Sequence, residues 1–434
     1  MKKRPVDFGL KLMNRVAQSD TIDTLKLRKP IERLTYKAVR DGFSRLQAIM
    51  AKRKPVKHAK NGETKPKLHF NLDLTEEQEM IADMLEQFAL EVIRPEAQAA
   101  DEACQVSEQL TTQWQELGMA DMLINEAYGG SATEGSLITQ FLITEKLAKG
   151  DLSIALALLS SQSFVQIIQD FGNDTQKADW LHRFLDPETA PLCSLALMEP
   201  GLEFQPEQLS TQAKKSGNGY KLNGKKTAVA LCQEADYFLV FAKERGGFGL
   251  YIIPCDGQGL ELKQEEFMGL KAANTGTLHL KNVIVPSEAK IGECTLKEQD
   301  YQNLLNRARL AWCALACGTA EAVLDSCIEY ANQREAFGEP ISHRQSIAFM
   351  ISDMAIELEG MRLMALRAAA KAQHDLAFEQ ETALAKFQCA RMAMKIGTDG
   401  VQIYGGHGFT KEYPVERWYR DLRSIASMEG GLLL

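Results

Sequence analysis

The sequence lacks most of the residue patterns that metal and nucleophile chemistry require. Its seven histidines are scattered over 434 residues. No HExxH run or His/Cys cluster occurs, so no metal site is expected. There is no P-loop, no G-x-S-x-G and no glycine fingerprint following a strand, which removes the usual phosphate cradles and the hydrolase nucleophile. Nine cysteines include no C-x-x-C pair, and the N-terminus has no signal-peptide core. Reduced thiols and a cytoplasmic location are therefore expected. Aromatic residues make up only 7%, but the apolar fraction of 45% is ordinary, so two or three folded domains are expected rather than disorder. No run of about 18 uncharged apolar residues appears, and no membrane span is expected.

What the chain does have is an uneven charge distribution. Residues 1–67 carry 19 Lys/Arg against 6 Asp/Glu, whereas the remaining residues carry 31 against 52. This is a basic appendage on an acidic body. In the appendage, Leu25, Leu27, Ile31, Leu34, Val39, Phe43, Leu46 and Ile49 recur among basic residues, as in one or two amphipathic helices broken by Pro30. A Lys-rich linker with Pro55, Gly62 and Pro66 follows. The arm can lie in solvent, dock on the acidic body, or touch an anionic membrane surface. No nucleic-acid partner is expected.

The body reads helix, strand, helix, with domains at 68–190, 191–290 and 291–434. Thr75 and Gln78 form a capping-box pattern. Ile81, Met84, Leu85, Phe88 and Val92 continue one apolar face, and Leu152 to Phe171 reads as a helix buried on most sides. From residue 191 the period changes to short strands, with Asn223-Gly224 expected as a hairpin turn. Three long helical stretches rich in Ala and Met then follow (residues 304–333, 342–374 and 379–404), expected as an antiparallel bundle. The fold class is mainly α with a central β domain. Cys313 and Cys317, four apart on an apolar helix, are expected as packed thiols.

Two segments stand out. Gly405, Gly406 and Gly408 end a long helix in Val401-Gln-Ile-Tyr-Gly-Gly-His-Gly-Phe409. One glycine suffices for a helix cap; three allow another backbone or a flat ligand to approach. Earlier, Gln333-Arg-Glu-Ala-Phe-Gly338 places an Arg and an aromatic at a helix end, as a plain loop or as a pyrophosphate contact.

With Glu412-Tyr-Pro-Val-Glu416 and Arg420-Asp421, these segments resemble the acyl-CoA dehydrogenase family of flavoproteins, from about Leu74 to Gly430. The resemblance implies an N-terminal helical domain, a small β-barrel or sandwich domain and a C-terminal four-helix bundle. It implies FAD as cofactor, with Arg334 and Phe337 on the diphosphate and adenine side. Gln402, Gly405 and Gly406 would approach the adenosine part in a neighbouring subunit, making a homodimer or homotetramer the expected assembly. The family's base lies eight residues after the Arg-Asp pair, which here is Glu429. A carboxylate suits that role because a thioester α-proton is weakly acidic. The alternative family position for the base matches Ala308, which cannot serve. Arg309 matches an Arg near substrate and base. The implied partners are an acyl-CoA substrate and an electron-transfer flavoprotein.

The flavin-ring segments depart from the family pattern. Met198 stands where Thr would bond the flavin, Ala228-Val-Ala230 where Trp-Ile-Thr would face the ring, and Lys271-Ala-Ala-Asn-Thr275 where a Ser is usual. After Glu429 the sequence reads Gly-Gly-Leu-Leu-Leu in place of Gly-Thr-x-Gln. Three functions therefore compete: an acyl-CoA dehydrogenase, a catalytically impaired relative acting as a binding or scaffold subunit, and an acyl-CoA oxidase-like enzyme using oxygen. Met198 in the ring pocket can act as packing, sulfur against an aromatic ring.

Overall fold

The computed structural model describes residues 74–434, apart from 133–135, 202–203 and 293–294. The basic arm and its amphipathic helices lie outside the described residues. The helical domain comprises α1 (Glu76–Phe88), α2 (Arg94–Ala103), α3 (Glu108–Glu116), α4 (Leu137–Gly150), α5 (Leu152–Phe171) and α6 (Asp174–Trp180). As expected, Thr75 caps α1: its hydroxyl accepts the Gln78 N–H, and the Gln78 side chain accepts the Thr75 N–H. Asp151 caps α5 by accepting the Ile154 N–H at 3.1 Å, supplying a partner to one of the orphan amides of the first turn.

Seven strands follow: β1 (Cys193–Ala196), β2 (Gln212–Ser216), β3 (Gly219–Val229), β4 (Tyr237–Glu244), β5 (Gly247–Pro254), β6 (Leu260–Gln264) and β7 (Gly276–Pro286). They form one sheet in the order β1-β4-β2-β3-β7-β6, with β5 added to β4. β1 runs parallel to β4, with Cys193 opposite Tyr237, and β3 runs antiparallel to β7.

The Asn223-Gly224 pair is not a hairpin turn. It lies inside β3, and the β2–β3 turn falls at residues 217–218. Asn223 pairs with Gln212 on one side, and the register against β7 shifts between Leu222 and Gly224. A Cβ on Gly224 would lie 2.3 Å from the Thr211 hydroxyl. The glycine therefore marks a bulge and a close approach, which local sequence does not distinguish from a turn.

The C-terminal bundle is α7 (Glu298–Gln333), α8 (Gln345–Gln373), α9 (Glu379–Tyr404) and the short α10 (Val415–Leu422). α7 is the axis of the core, with Leu310 to Ala320 buried throughout. It meets α4 at Gly318, where a Cβ would stand 1.9 Å from the Glu145 carbonyl. By length and composition α5 and α7 could each cross a bilayer, but most of each apolar stretch is buried inside the protein. Cys313, Cys317 and Cys389 are buried in this bundle as free thiols, in keeping with packed cysteines.

α10 ties the three layers together. Arg417 pairs with Asp151 at 2.9 Å. Arg420 reaches Asp101 at 2.9 Å and the Met268 carbonyl at 2.9 Å. Asp421 accepts the Leu270 N–H at 2.7 Å, and its Oδ2 is buried without a partner. Burial, and then the nearby Asp151 carboxylate, pushes the Asp421 carboxyl well above the ordinary range. The folded protein thus keeps a proton there that the unfolded chain has already lost, so stability falls as pH rises toward that raised value. Asp421→Asn removes this term. Its thermal stability between about pH 5 and pH 8 should vary less than that of the parent, measured by calorimetry across the series. An identical pH slope in both proteins would contradict the assignment.

Candidate active site

The segment after α10 is clamped from four sides. The Lys386 ammonium donates to the Met428 carbonyl at 2.6 Å, and the Trp312 indole N–H to the Gly430 carbonyl at 2.7 Å. The Leu433 N–H donates to the Ser163 hydroxyl at 2.9 Å, and Arg307 Nε to the Leu434 carbonyl at 2.7 Å. Gly430 has φ 68°, and a Cβ there would strike Leu197 at 2.6 Å. Only glycine lets the chain pass this close to the end of β1 in that conformation. Leu432, Leu433 and Leu434 are all buried.

Glu429 sits between these clamps, 21% exposed. Its carboxylate accepts from Arg309 Nε at 2.9 Å. A second carboxylate, Glu207, lies 3.6 Å from the Arg309 guanidinium. Arg309, expected beside substrate and base, is thus brought to Glu429 directly. The Glu429 backbone N–H points at the Met198 sulfur, 3.3 Å away. Thioether sulfur is a weak acceptor, so that donor is held loosely, and a stronger acceptor can take it.

Met198 itself is fixed by its neighbours. Lys226 is wholly buried; its ammonium donates to the Leu197 carbonyl at 3.0 Å and to Glu199 at 2.9 Å. Glu199 also accepts the Ser210 and Thr211 N–H groups. Glu265 accepts hydroxyl bonds from Thr227 and Thr277, and the Ala228 N–H at 3.0 Å. Ala228, Val229 and Ala230 are all buried, and Ala228 adopts φ 52°. The positions that would face a flavin ring are therefore buried and carry no side-chain hydroxyl.

A second cluster lies at the far end of α7. Arg334 follows the helix, and Phe337 and Gly338 form the tip of a two-residue hairpin between β8 (Glu335–Ala336) and β9 (Glu339–Pro340). Both tip residues have positive φ, 58° and 84°, as a type I′ turn demands. Phe337 is 97% exposed, and the Arg334 side chain has no partner among the described residues. The Tyr330 ring stacks on Tyr404 with centroids 4.0 Å apart, and its hydroxyl lies 2.9 Å from His407 Nδ1. This joins the hairpin to the end of α9, where Gln402, Gly405 and Gly406 are exposed. A Cβ on either Gly405 or Gly406 would meet nothing. Gly408 differs, since its Cβ would strike the Val401 carbonyl at 2.4 Å, so it serves the turn itself. An exposed free guanidinium beside open glycine backbone and an aromatic fits a nucleotide diphosphate.

The two clusters do not meet within one chain. Arg309 and Arg334 are separated by 25 residues along α7, about 37 Å at 1.5 Å per residue. Sequence reasoning missed Trp312, Lys386, Ser163 and the tyrosine cluster. A lone Trp in an Ala- and Cys-rich helix, and a Lys on the buried face beside Ala385 and Cys389, were the available signals.

Comparison with known proteins assigns the whole described body. Residues 75–188 match the acyl-CoA dehydrogenase N-terminal domain, 194–283 the middle domain and 300–431 the C-terminal domain. A probable acyl-CoA dehydrogenase, YngJ, of Bacillus subtilis is 33% identical over 368 residues, covering 83% of this chain and 96% of the relative. The butyryl-CoA dehydrogenase of Megasphaera elsdenii superposes with a TM-score of 0.76 at 30% identity, over 83% of this chain and 96% of that one. A glutaryl-CoA dehydrogenase of Mycobacterium smegmatis in complex with FADH2 gives 0.75 at 25% identity, over 82% and 92%.

The Lys226–Glu199 pair is the anchor of the Met198 segment, and breaking it leaves a buried carboxylate without its cation. Lys226→Met should destabilise the protein by about 3–5 kcal/mol, read from denaturant unfolding. A change below about 1 kcal/mol would show that water or a neighbour replaces the ammonium.

Proposed function

The chain belongs to the acyl-CoA dehydrogenase family, oxidoreductases acting on CH–CH bonds, and we propose that it desaturates a fatty acyl-CoA thioester between its α and β carbons. The observation that carries this reading is Glu429, a partly buried carboxylate at the family's base register with its own N–H turned to a weak acceptor. The carboxylate takes the α-proton once Arg309 yields the Oε2 it now engages. The Glu429 N–H leaves the Met198 sulfur for the thioester carbonyl, which polarises the α-C–H bond. Arg309 keeps the carboxylate oriented until substrate enters. Enzymes of the family carry FAD, which when bound supplies the hydride acceptor. An electron-transfer flavoprotein is the proposed electron acceptor after it.

Arg334, Phe337, Gln402, Gly405 and Gly406 are the residues that would hold the diphosphate and adenosine of that cofactor. The helix length between them and Glu429 exceeds a dinucleotide, so a second copy of the chain would present this cluster to the first. Exposed Phe349, Ile356 and Leu363 recur every seven residues on α8, and Leu384 and Phe387 are exposed on α9. Such a stripe suits burial against another copy, which supports a homodimer or homotetramer. A cytoplasmic protein whose basic arm touches anionic lipid accords with the charge asymmetry.

One observation favours a second reading. The buried Ala228–Ala230 run and the Met198 thioether offer a flavin ring no side-chain hydroxyl, as expected of an impaired relative that binds without turnover. Flavin absorbance of the purified protein separates the two readings.

Glu429→Gln should keep any bound flavin and lose about 10²–10⁴-fold of dye-reduction rate with acyl-CoA; an unchanged rate would remove Glu429 from the chemistry. Arg334→Ala should weaken FAD binding by about tenfold or more, the usual penalty for deleting a charge-assisted bond. Titration of the apoprotein followed by flavin fluorescence measures it, and equal affinity in both proteins would place the diphosphate elsewhere.

A further inference from the structure

A partly open pocket lies away from Glu429, between α3, the middle of α5, the 184–192 loop and the 231–234 loop. Its volume is about 260 Å³. Trp114, Met119, Leu158, Phe184 and Leu231 supply apolar walls. Of its polar lining residues, Thr111, Gln115 and Ser161 already have hydrogen-bond partners, and Gln105 and Glu108 are exposed, which leaves two unmatched groups inside. Gln162, half-buried on α5, has a side-chain amide with no partner among the described residues. Glu234 bonds Asn274 through Oε1 at 2.5 Å, while its Oε2 is buried with no partner. Burial also raises the Glu234 carboxyl above its ordinary range.

Apolar walls with a few unmatched polar groups are the usual make-up of a small-molecule pocket. Unmatched buried polar atoms are costly, and protein interiors leave few of them. We propose that this cavity binds an uncharged apolar molecule of about eight to ten carbons bearing one hydroxyl head. A hydroxyl both donates and accepts, so it satisfies the Gln162 amide and serves the Glu234 carboxyl in either protonation state. An anionic head would face Glu108 and Glu234, both in the lining. A cationic head would have to shed its hydration among Trp114, Phe184 and Leu158.

The cavity is separate from the crevice at the chain's last residues. Met119 and Gln162 form the wall between them, touching the cavity on one side and the Leu433 crevice on the other.

The test uses the full-length purified chain with 1-octanol, octanoate and octylammonium as probes, followed by tryptophan fluorescence and by calorimetry. Octanol should bind saturably at one site per chain, at least about tenfold tighter than either charged probe. Ala157→Leu, which fills the cavity from α5, should weaken octanol binding at least about tenfold. Should that variant fail to fold, Gln162→Leu, close in size, should weaken it about fivefold and bring octanol nearer to the charged probes. Absence of saturable octanol binding, tighter binding of either charged probe, or parental affinity in the folded variants would overturn the assignment.

Discussion

One buried carboxylate fixes the relation between the helical domain, the sheet and the C-terminal bundle. Asp151 caps α5 and at the same time pairs with Arg417 of α10 at 2.9 Å. Three residues further along α10, Arg420 reaches back to Asp101 of α2, and Asp421 takes the Leu270 N–H from the loop before β7. A buried ion pair of this kind adds little net stability, because desolvation offsets its attraction. Its effect is to select one arrangement, since any other leaves a charge buried and unpaired. From that anchor only seven residues lead from Leu422 to Glu429, so the placement of the carboxylate follows from a contact far from it.

The same economy appears at Met198. An oxygen acceptor at this position would hold the Glu429 N–H firmly, whereas a thioether releases it easily. The surrounding Lys226–Glu199 pair and the Glu265 bonds are strong and buried. The segment is therefore rigid in its frame and soft at the one atom that meets Glu429. Rigid support with a displaceable final contact suits a donor that must change partners, whether the partner is a thioester or another carbonyl.

Features set by neighbouring residues were readable from sequence. The Thr75–Gln78 cap, the buried α5 helix and the ends of α9 follow from caps and apolar period, which act over one turn. Asn223-Gly224 misled because a glycine bulge and a glycine turn carry the same local signature, and only the strands on both sides decide between them. The pairing of Arg309 with Glu429, and the Trp312 bond to Gly430, join residues more than a hundred positions apart. No periodicity encodes those contacts. The register of Glu429 after Asp421 was legible, but its ion pair with Arg309 was not.

Exposure of the hairpin tip is the remaining constraint on how the molecule is used. Phe337 adopts a left-handed backbone that bulky residues avoid, yet almost all of its ring faces outward. Phe409, 92% exposed, lies just beyond the same glycine run. Phe337 carries the Arg344 guanidinium over one face, 5.6 Å from its centroid, while Arg334 has no side-chain partner among the described residues. Under the proposed self-association another copy would lay its own surface against this end. The α8 and α9 stripe is continuous with that need, because apolar side chains repeating at seven-residue intervals keep to one side of a helix. In the proposed assembly, burial of that stripe would bring the hairpin end of one copy, some 37 Å along α7 from Arg309, against its neighbour.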